Sequence, residues 1–425
     1  MRPVHVFGRS MLSFMAALWV VGCSGNVGTL PDEDGGLPVL DASVQDDAGA
    51  RTDAGAEPDG GDVDAGADDA GSKADAGTGD GGRIPIFIAQ GHFARTTLSC
   101  DLGRTWVGDR DEAPDNARCW EQPPGGGTQV ECDHSALTAR GLAFSGEYIF
   151  ANYGWVVPGS VRRSRYGVDW ETVQTGKTWA NPVHVNGRLL FANNEMAISD
   201  DEGSTLTVGT GLWELGTVRL GGGGDIDGRI FVMSADNGIV VSNDGLQWRT
   251  VTAPSECRAI LTDGGVVVGN GVIVVAGYPG VCFSKDRGNT WTSVSLPVSV
   301  NSTLVWTGKA FVFFGRTQAG AGSQFVRYSS ADGETWTMAP ITVRRPQPGG
   351  GVRTENGPAL GIVAYGAGVF AAVNEEWGRY YENQAFYRSE DDGLTWDELP
   401  KSAFVGSHPI NQMAFGHAER SSVCP

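Results

Sequence analysis

Short apolar runs closed by turn residues recur from about residue 83 to the end of the chain. Residues 266–294 show the unit: Val266 to Val268, a Gly269-Asn270-Gly271 turn, Val272 to Ala276, a Tyr278-Pro279-Gly280 loop and Val281 to Ser284. A polar stretch ending at Trp291 follows, and Thr290 to Val294 make the last run. Runs of this length bounded by Gly, Asn and Pro predict strands joined by tight turns. The order returns in Leu142 to Phe150, in Ile362 to Ala372 and, more loosely, in Leu304 to Phe314.

The polar stretch Ser284 to Trp291 (SKDRGNTW) is itself repeated. Ser99 to Trp106 and Ser389 to Trp396 are complete octets, and Ser242 to Trp248 and Ser330 to Trp336 are one residue shorter. Ser164 to Trp170 carries Tyr166 where Asp is expected, and Ser199 to Leu206 ends in Leu instead of Trp. Self-similarity at intervals of about 35 to 65 residues marks a repeat architecture. Four antiparallel strands per repeat, seven times, predict an all-β seven-bladed β-propeller over residues 83–425. Blade one, beginning at Ile84 to Ile88, lacks an innermost strand, and Ile410 to Phe415 supplies one as a velcro closure by the C-terminal strand.

The octets closely resemble the Asp-box (BNR) repeats of sialidases, sortilin-type receptors, some two-propeller xyloglucan hydrolases and photosystem-assembly factors. That resemblance implies a hairpin between the third and outermost strands of each blade. Ser and Asp side chains satisfy turn amides, Gly supplies a positive φ, and Trp packs between blades. The motif is structural, and a site belongs on the opposite face. Arg83-Ile84-Pro85 looks like the Arg-Ile-Pro motif that carries a substrate arginine in sialidases. It stands only about 15 residues before Ser99, however, where that family has a whole blade of strands, and no arginine triad can be assigned.

Composition changes the picture mainly at the N-terminus. Of 19 net negative charges in 425 residues, 13 come from residues 24–82, which hold 15 acidic and 2 basic side chains among Asp, Ala, Gly and Pro. Such a segment cannot offset the entropy of folding, so residues 23–82 are expected to be a disordered acidic tether. Its DAG tripeptides lack the nine-residue period of a calcium-binding solenoid. Arg2, Arg9 and the apolar run Met11 to Val21 predict a signal peptide over residues 1–22. Val20-Val21-Gly22-Cys23 resembles a bacterial lipobox, which implies acylation of Cys23 and an outer-membrane, lipid-anchored protein. The acidic balance argues against nucleic acid as a partner, and a monomer is expected.

Export permits disulfides. Six cysteines follow Cys23 and allow 15 pairings, which the blade map narrows to Cys119–Cys132, Cys257–Cys282 and Cys100–Cys424, the last locking the ring. Free catalytic Cys is the alternative, and no CxxC zinc motif is present.

Function belongs to long loops on a rigid scaffold, and the long segments 107–139, 152–160, 317–323, 340–359 and 374–385 fall on the contiguous blades six, seven, one and two. They carry Trp120, Trp155, Trp377 and Tyr381 for stacking on sugars, and Arg140, Arg344, Arg345 and Arg379 for carboxylate or sulfate. Asp133, Glu375 and Glu376 are available for acid–base work, and Tyr380 beside Glu375 or Glu376 imitates a sialidase-type nucleophile pair. His92, His134 and His408 map to the same face, where three histidines would hold a divalent metal. The leading expectation is a surface propeller that binds, and in one version hydrolyses, extracellular glycan. The rivals are a non-catalytic scaffold for an envelope protein and a metal-dependent enzyme.

Overall fold

The computed structural model describes residues 82–110, 137–154, 158–177, 179–192, 196–209, 218–235, 238–259, 265–277, 280–300, 302–317, 324–374, 384–400 and 410–425. They form seven antiparallel blades in a ring, a seven-bladed β-propeller. Blade one is ordered Val107–Arg110, Thr96–Ser99, Ile84–Gly91, Ile410–Ala418, so the C-terminal strand is innermost. Phe87 faces Phe415 and Ile88 faces Ala414 in this pairing. The expected velcro closure is thus observed. The signal segment, Cys23 and the tether through residue 81 lie outside the described residues.

The middle strands of each blade are apolar at consecutive positions because both their faces are covered. Phe231 and Met233 enter the cluster shared with blade three, while Ile230 and Val232 enter the one shared with blade five. The same split repeats around the ring, giving each seam its own apolar cluster. Burial of this continuous surface is the main stabilising term.

Each octet closes its hairpin by side-chain hydrogen bonds. In blade five the Ser284 hydroxyl donates to Asp286 Oδ1 (2.9 Å) and accepts from the Gly288 N–H (2.8 Å). Asp286 accepts from the Thr290 N–H (2.8 Å) and hydroxyl (2.7 Å). Asp101, Asp201 and Asp391 each accept from Ser and from the following Thr N–H in the same way. In blade two Ser164 still accepts from Gly167 (2.8 Å), with Tyr166 in the carboxylate's place. The glycine is required twice over. Gly393 has φ +81°, and a Cβ there would stand 2.7 Å from Phe314 of blade six. Trp106 stacks on Phe386 of blade seven with centroids 4.1 Å apart.

Three features depart from the simple repeat. Blade six has an interrupted inner edge, where Val298–Val300 and Val305–Trp306 both pair with Phe311–Thr317. Buried Ser302 bridges the break by accepting from the Phe314 N–H at 2.8 Å. After blade four the helix Ser255–Ala259 is pinned to blade five by the Cys257–Cys282 disulfide. The third departure corrects an expectation. Residues 342–356 do not rise as a loop beside the funnel but form a hairpin on the outer edge of blade seven, making it six-stranded. Thr342–Pro346 runs parallel to Thr395–Glu398, and Val352–Asn356 is the outermost strand.

The Cys100–Cys424 disulfide joins the first octet to the chain end across 324 residues. Cys119 and Cys132 lie outside the described residues.

Candidate functional site

The octets mark one end of every blade, and the strands that lead away from them end on the opposite, upper face. There the upper ends of blades seven, one and two are tied together by buried side-chain hydrogen bonds. Within blade one, strand Ile84–Gly91 is joined to Thr96–Ser99 through the single turn His92–Ala94, in which Ala94 takes φ +53°. Gln90 Nε2 donates to Thr96 Oγ1 at 3.1 Å, and the Thr96 hydroxyl donates to the Ala94 carbonyl at 3.1 Å. Across the seam, Thr138 Oγ1 lies 3.2 Å from His92 Nδ1, and Asn411 Nδ2 donates to the Ala139 carbonyl at 2.9 Å.

On the other flank, Gln384 acts as a strand partner in miniature. Its Nε2 donates to the Ile410 carbonyl (3.0 Å) and its Oε1 accepts from the Ile410 N–H (2.8 Å), seating the closing strand against blade seven. Asn374 Oδ1 accepts from the Ala385 N–H at 2.8 Å. Gln90, His92, Thr96, Thr138 and Gln384 are all buried. Pairing of buried polar groups stabilises such a layer, although Gln90 Oε1 and Asn411 Oδ1 accept no hydrogen bond among the described residues, and the layer fixes the strand ends from which the upper loops depart. Sequence reading did not single out Gln384, Thr138 or Asn411, since an isolated amide or hydroxyl carries no motif.

The structure brings two sequence candidates to this seam. His92 lies against Thr138, and Arg140 is the second residue of the inner strand Ala139–Phe144 of blade two. Neighbouring Tyr153 is buried, with the Arg162 guanidinium 4.9 Å from its ring centroid.

The other described arginine candidates are engaged elsewhere. Arg344 forms a bidentate pair with Asp397, its Nε 2.6 Å from Oδ1. Arg345 pairs with Glu398 at 3.0 Å and Glu355 at 3.3 Å, beside Tyr387, whose phenol pKa burial pushes up. Both stand on Thr342–Pro346, the strand next to the outermost one of blade seven. Arg83 of the Arg-Ile-Pro stretch donates to the Gly146 and Glu147 carbonyls, at the octet end of blade two. It is therefore a clasp between blades, at the end of the ring away from the upper face.

Asp133, His134, Trp120, Trp155, Glu375, Glu376, Trp377, Arg379, Tyr380, Tyr381 and His408 lie outside the described residues. Among the described residues no three His, Cys, Asp or Glu side chains are grouped to hold a metal ion. His184, on the inner strand of blade three, has its pKa drawn below the usual value by burial, against a smaller opposing pull from Glu202. It lies near the octet end and joins no candidate.

Comparison with known proteins bears on the fold. The model of a family described as the DUF6242 beta propeller domain matches residues 225–412. No curated protein matches the sequence. Among solved structures, YCF48 from Cyanidioschyzon merolae is 14% identical, with 64% of this chain and 87% of that one covered at a TM-score of 0.42. The GH74 enzyme of Niastella koreensis is 17% identical, covering 61% and 45% at a TM-score of 0.42. BamB from Moraxella catarrhalis is 11% identical, covering 68% and 92% at 0.36. At these TM-scores the likenesses say nothing of a ligand.

Proposed function

We propose that this protein is a lipid-anchored surface receptor whose propeller binds extracellular glycan on the upper face of blades seven, one and two. One observation carries the reading. The upper ends of these three blades rest on a buried, hydrogen-bonded floor, and the chain places its long aromatic- and carboxylate-bearing segments directly after those strand ends. Rigid support under long loops is how a repeat scaffold presents a binding site.

In this proposal Trp120, Trp155, Trp377 and Tyr381 stack on sugar rings, and Arg140 and Arg379 select anionic substituents. Asp133, Glu375 and Glu376 are the groups that would extend binding to hydrolysis. With Arg83, Arg344 and Arg345 committed to carbonyls and carboxylates of the chain itself, the cation set differs from the sialidase arrangement. The Asp-box resemblance therefore enters as a statement about hairpins and leaves the reaction open to the carboxylates.

The test is a glycan array with the full chain, alongside a glycosidase panel. Binding is expected to fall about five- to thirtyfold in Trp155→Ala and Trp377→Ala, because loss of one stacking ring removes roughly 1–2 kcal/mol. A blank array together with recovery of an envelope protein in a pull-down would replace this reading with the scaffold one.

A further inference from the structure

The hairpin added to blade seven leaves one strand edge open. Val352–Asn356 pairs with Thr342–Pro346 on one side and, among the described residues, with no strand on the other. Val352 is 65% exposed, and Arg353, Thr354 and Asn356 are exposed as well.

The register settles which backbone groups face outward. Gly357 N–H donates to the Ile341 carbonyl (2.9 Å) and Gln347 N–H to the Gly351 carbonyl (3.1 Å), at the two ends of the hairpin. Hydrogen-bonded pairs in an antiparallel ladder recur at every second residue. Val343/Glu355 and Arg345/Arg353 are therefore the bonded pairs within the hairpin. The N–H and C=O groups of Val352, Thr354 and Asn356 point away from it.

We infer that this edge is an interface between two copies of the chain, paired antiparallel about a two-fold axis at Thr354. In that register Thr354 faces its own copy and Val352 faces Asn356, so the outward groups of both strands are satisfied by about six backbone hydrogen bonds. Arg353 then falls opposite Glu355 of the second copy, twice, at the closely spaced non-bonded positions where cross-strand charges interact most. The order Arg-Thr-Glu is self-complementary only when reversed. Parallel pairing would set Arg353 against Arg353. An exposed edge normally carries features that discourage pairing, whereas this one carries charges of opposite sign about a central residue, as an isologous contact requires. The short strand makes the contact small and reversible, and the expected monomer becomes one state of an equilibrium.

Sedimentation equilibrium of the full chain tests this. The wild type is expected to show a concentration-dependent dimer. Thr354→Pro removes one outward N–H without touching the bonds to Thr342–Pro346, and edge strands tolerate proline there. It is expected to abolish the dimer at unchanged melting temperature. Arg353→Glu and Glu355→Arg, each alone, are expected to weaken dimerisation about tenfold, and the double exchange to restore it. Arg353 also pairs with Glu355 of its own chain at 3.0 Å, so the charge exchanges are read beside Thr354→Pro, which leaves that pair in place, and beside the melting temperature of each variant. A wild type that stays monomeric at about 100 µM overturns the inference, as does a dimer that Thr354→Pro and both charge reversals leave intact.

Discussion

Asp332 shows what a single octet side chain contributes. It accepts from the Thr335 N–H at 2.7 Å and the Glu334 N–H at 2.9 Å, and receives the Ser330 hydroxyl at 2.9 Å. Chiefly because of the Thr335 donor, its pKa is held down at about 2. Burial pushes Asp101, Asp244, Asp286 and Asp391 up, but the hydrogen bonds they accept outweigh it and all four end below the usual range. Asp201 is lowered first by the Thr205 N–H. A carboxylate whose pKa is depressed in the folded state contributes stability above its unfolded value, about 3.9, and loses it as pH falls through the folded value. The melting temperature is therefore expected to drop steeply between about pH 4 and pH 2. Asp332→Asn is expected to melt about 2 °C lower at pH 7 and to approach the wild type as acid neutralises Asp332. Thermal melts across pH decide it: a gap that stays constant on acidification refutes the assignment. The same scale shows what engages two of the candidate arginines. Arg344 and Arg345 have the right chemistry for an anionic ligand, but Asp397 and Glu398, far along the chain, and Glu355 on the neighbouring strand pair with them. Nothing in the local sequence announces such a partner.

At the scale of the element, the closing strand Ile410–Ala418 is the most consequential. It pairs along the length of Ile84–Gly91, is seated by Gln384 at its start, and is followed by the disulfide from Cys424 to Cys100. Its aromatic side chains fit because neighbouring inner strands carry glycine. A Cβ on Gly366 of blade seven would stand 1.9 Å from the Phe415 ring, and in turn Gly416 of the closing strand makes room for Phe144 of blade two, 2.2 Å from where its Cβ would stand. The two described disulfides close loops of very different length, 324 and 25 residues. In the chain-entropy account, stabilisation grows with the logarithm of loop length. Replacing Cys100 and Cys424 together by Ala is therefore expected to cost about 2 kcal/mol more than replacing Cys257 and Cys282. Guanidinium unfolding midpoints measure the comparison, and equal losses would show that the ring-closing bridge does not act on the unfolded chain in this way. The closure was readable beforehand, because one blade lacked a strand and one strand was left over. The edge hairpin 342–356 was not, because its polar, Gly- and Pro-containing composition has no apolar face of its own. Its strand character comes from pairing with Thr395–Glu398.

At the scale of the whole molecule, we propose that an acidic tether and a lipid anchor set where the propeller works. A lipobox-like Cys23 ahead of a long acidic segment proposes a domain held at a distance from the membrane, with acyl chains supplying the attachment. Among the described residues no helix is long and apolar enough to cross a membrane. Cys23→Ser is expected to move the protein from the membrane fraction to the soluble fraction and to abolish labelling by a radioactive fatty acid. Retention of the label in the variant would refute acylation at that residue. Such anchoring would also concentrate the chain in two dimensions, where a small reversible edge contact is favoured.

The seven blades, the end of the ring on which the octets sit, the strand that closes it and the two described disulfides were all legible in the amino-acid order. Each depends on a motif whose hydrogen bonds are made within eight residues, or on counting strands that must pair. Tertiary structure alone decided that Arg83 clasps blade two, that Arg344 and Arg345 are neutralised at an outer edge, and that Gln384 and Thr138 build the upper floor. It alone also left the outer edge of Val352–Asn356 without a strand partner among the described residues. These depend on which surfaces meet once the ring has closed, and that proximity is set by the sum of all seams rather than by any local pattern.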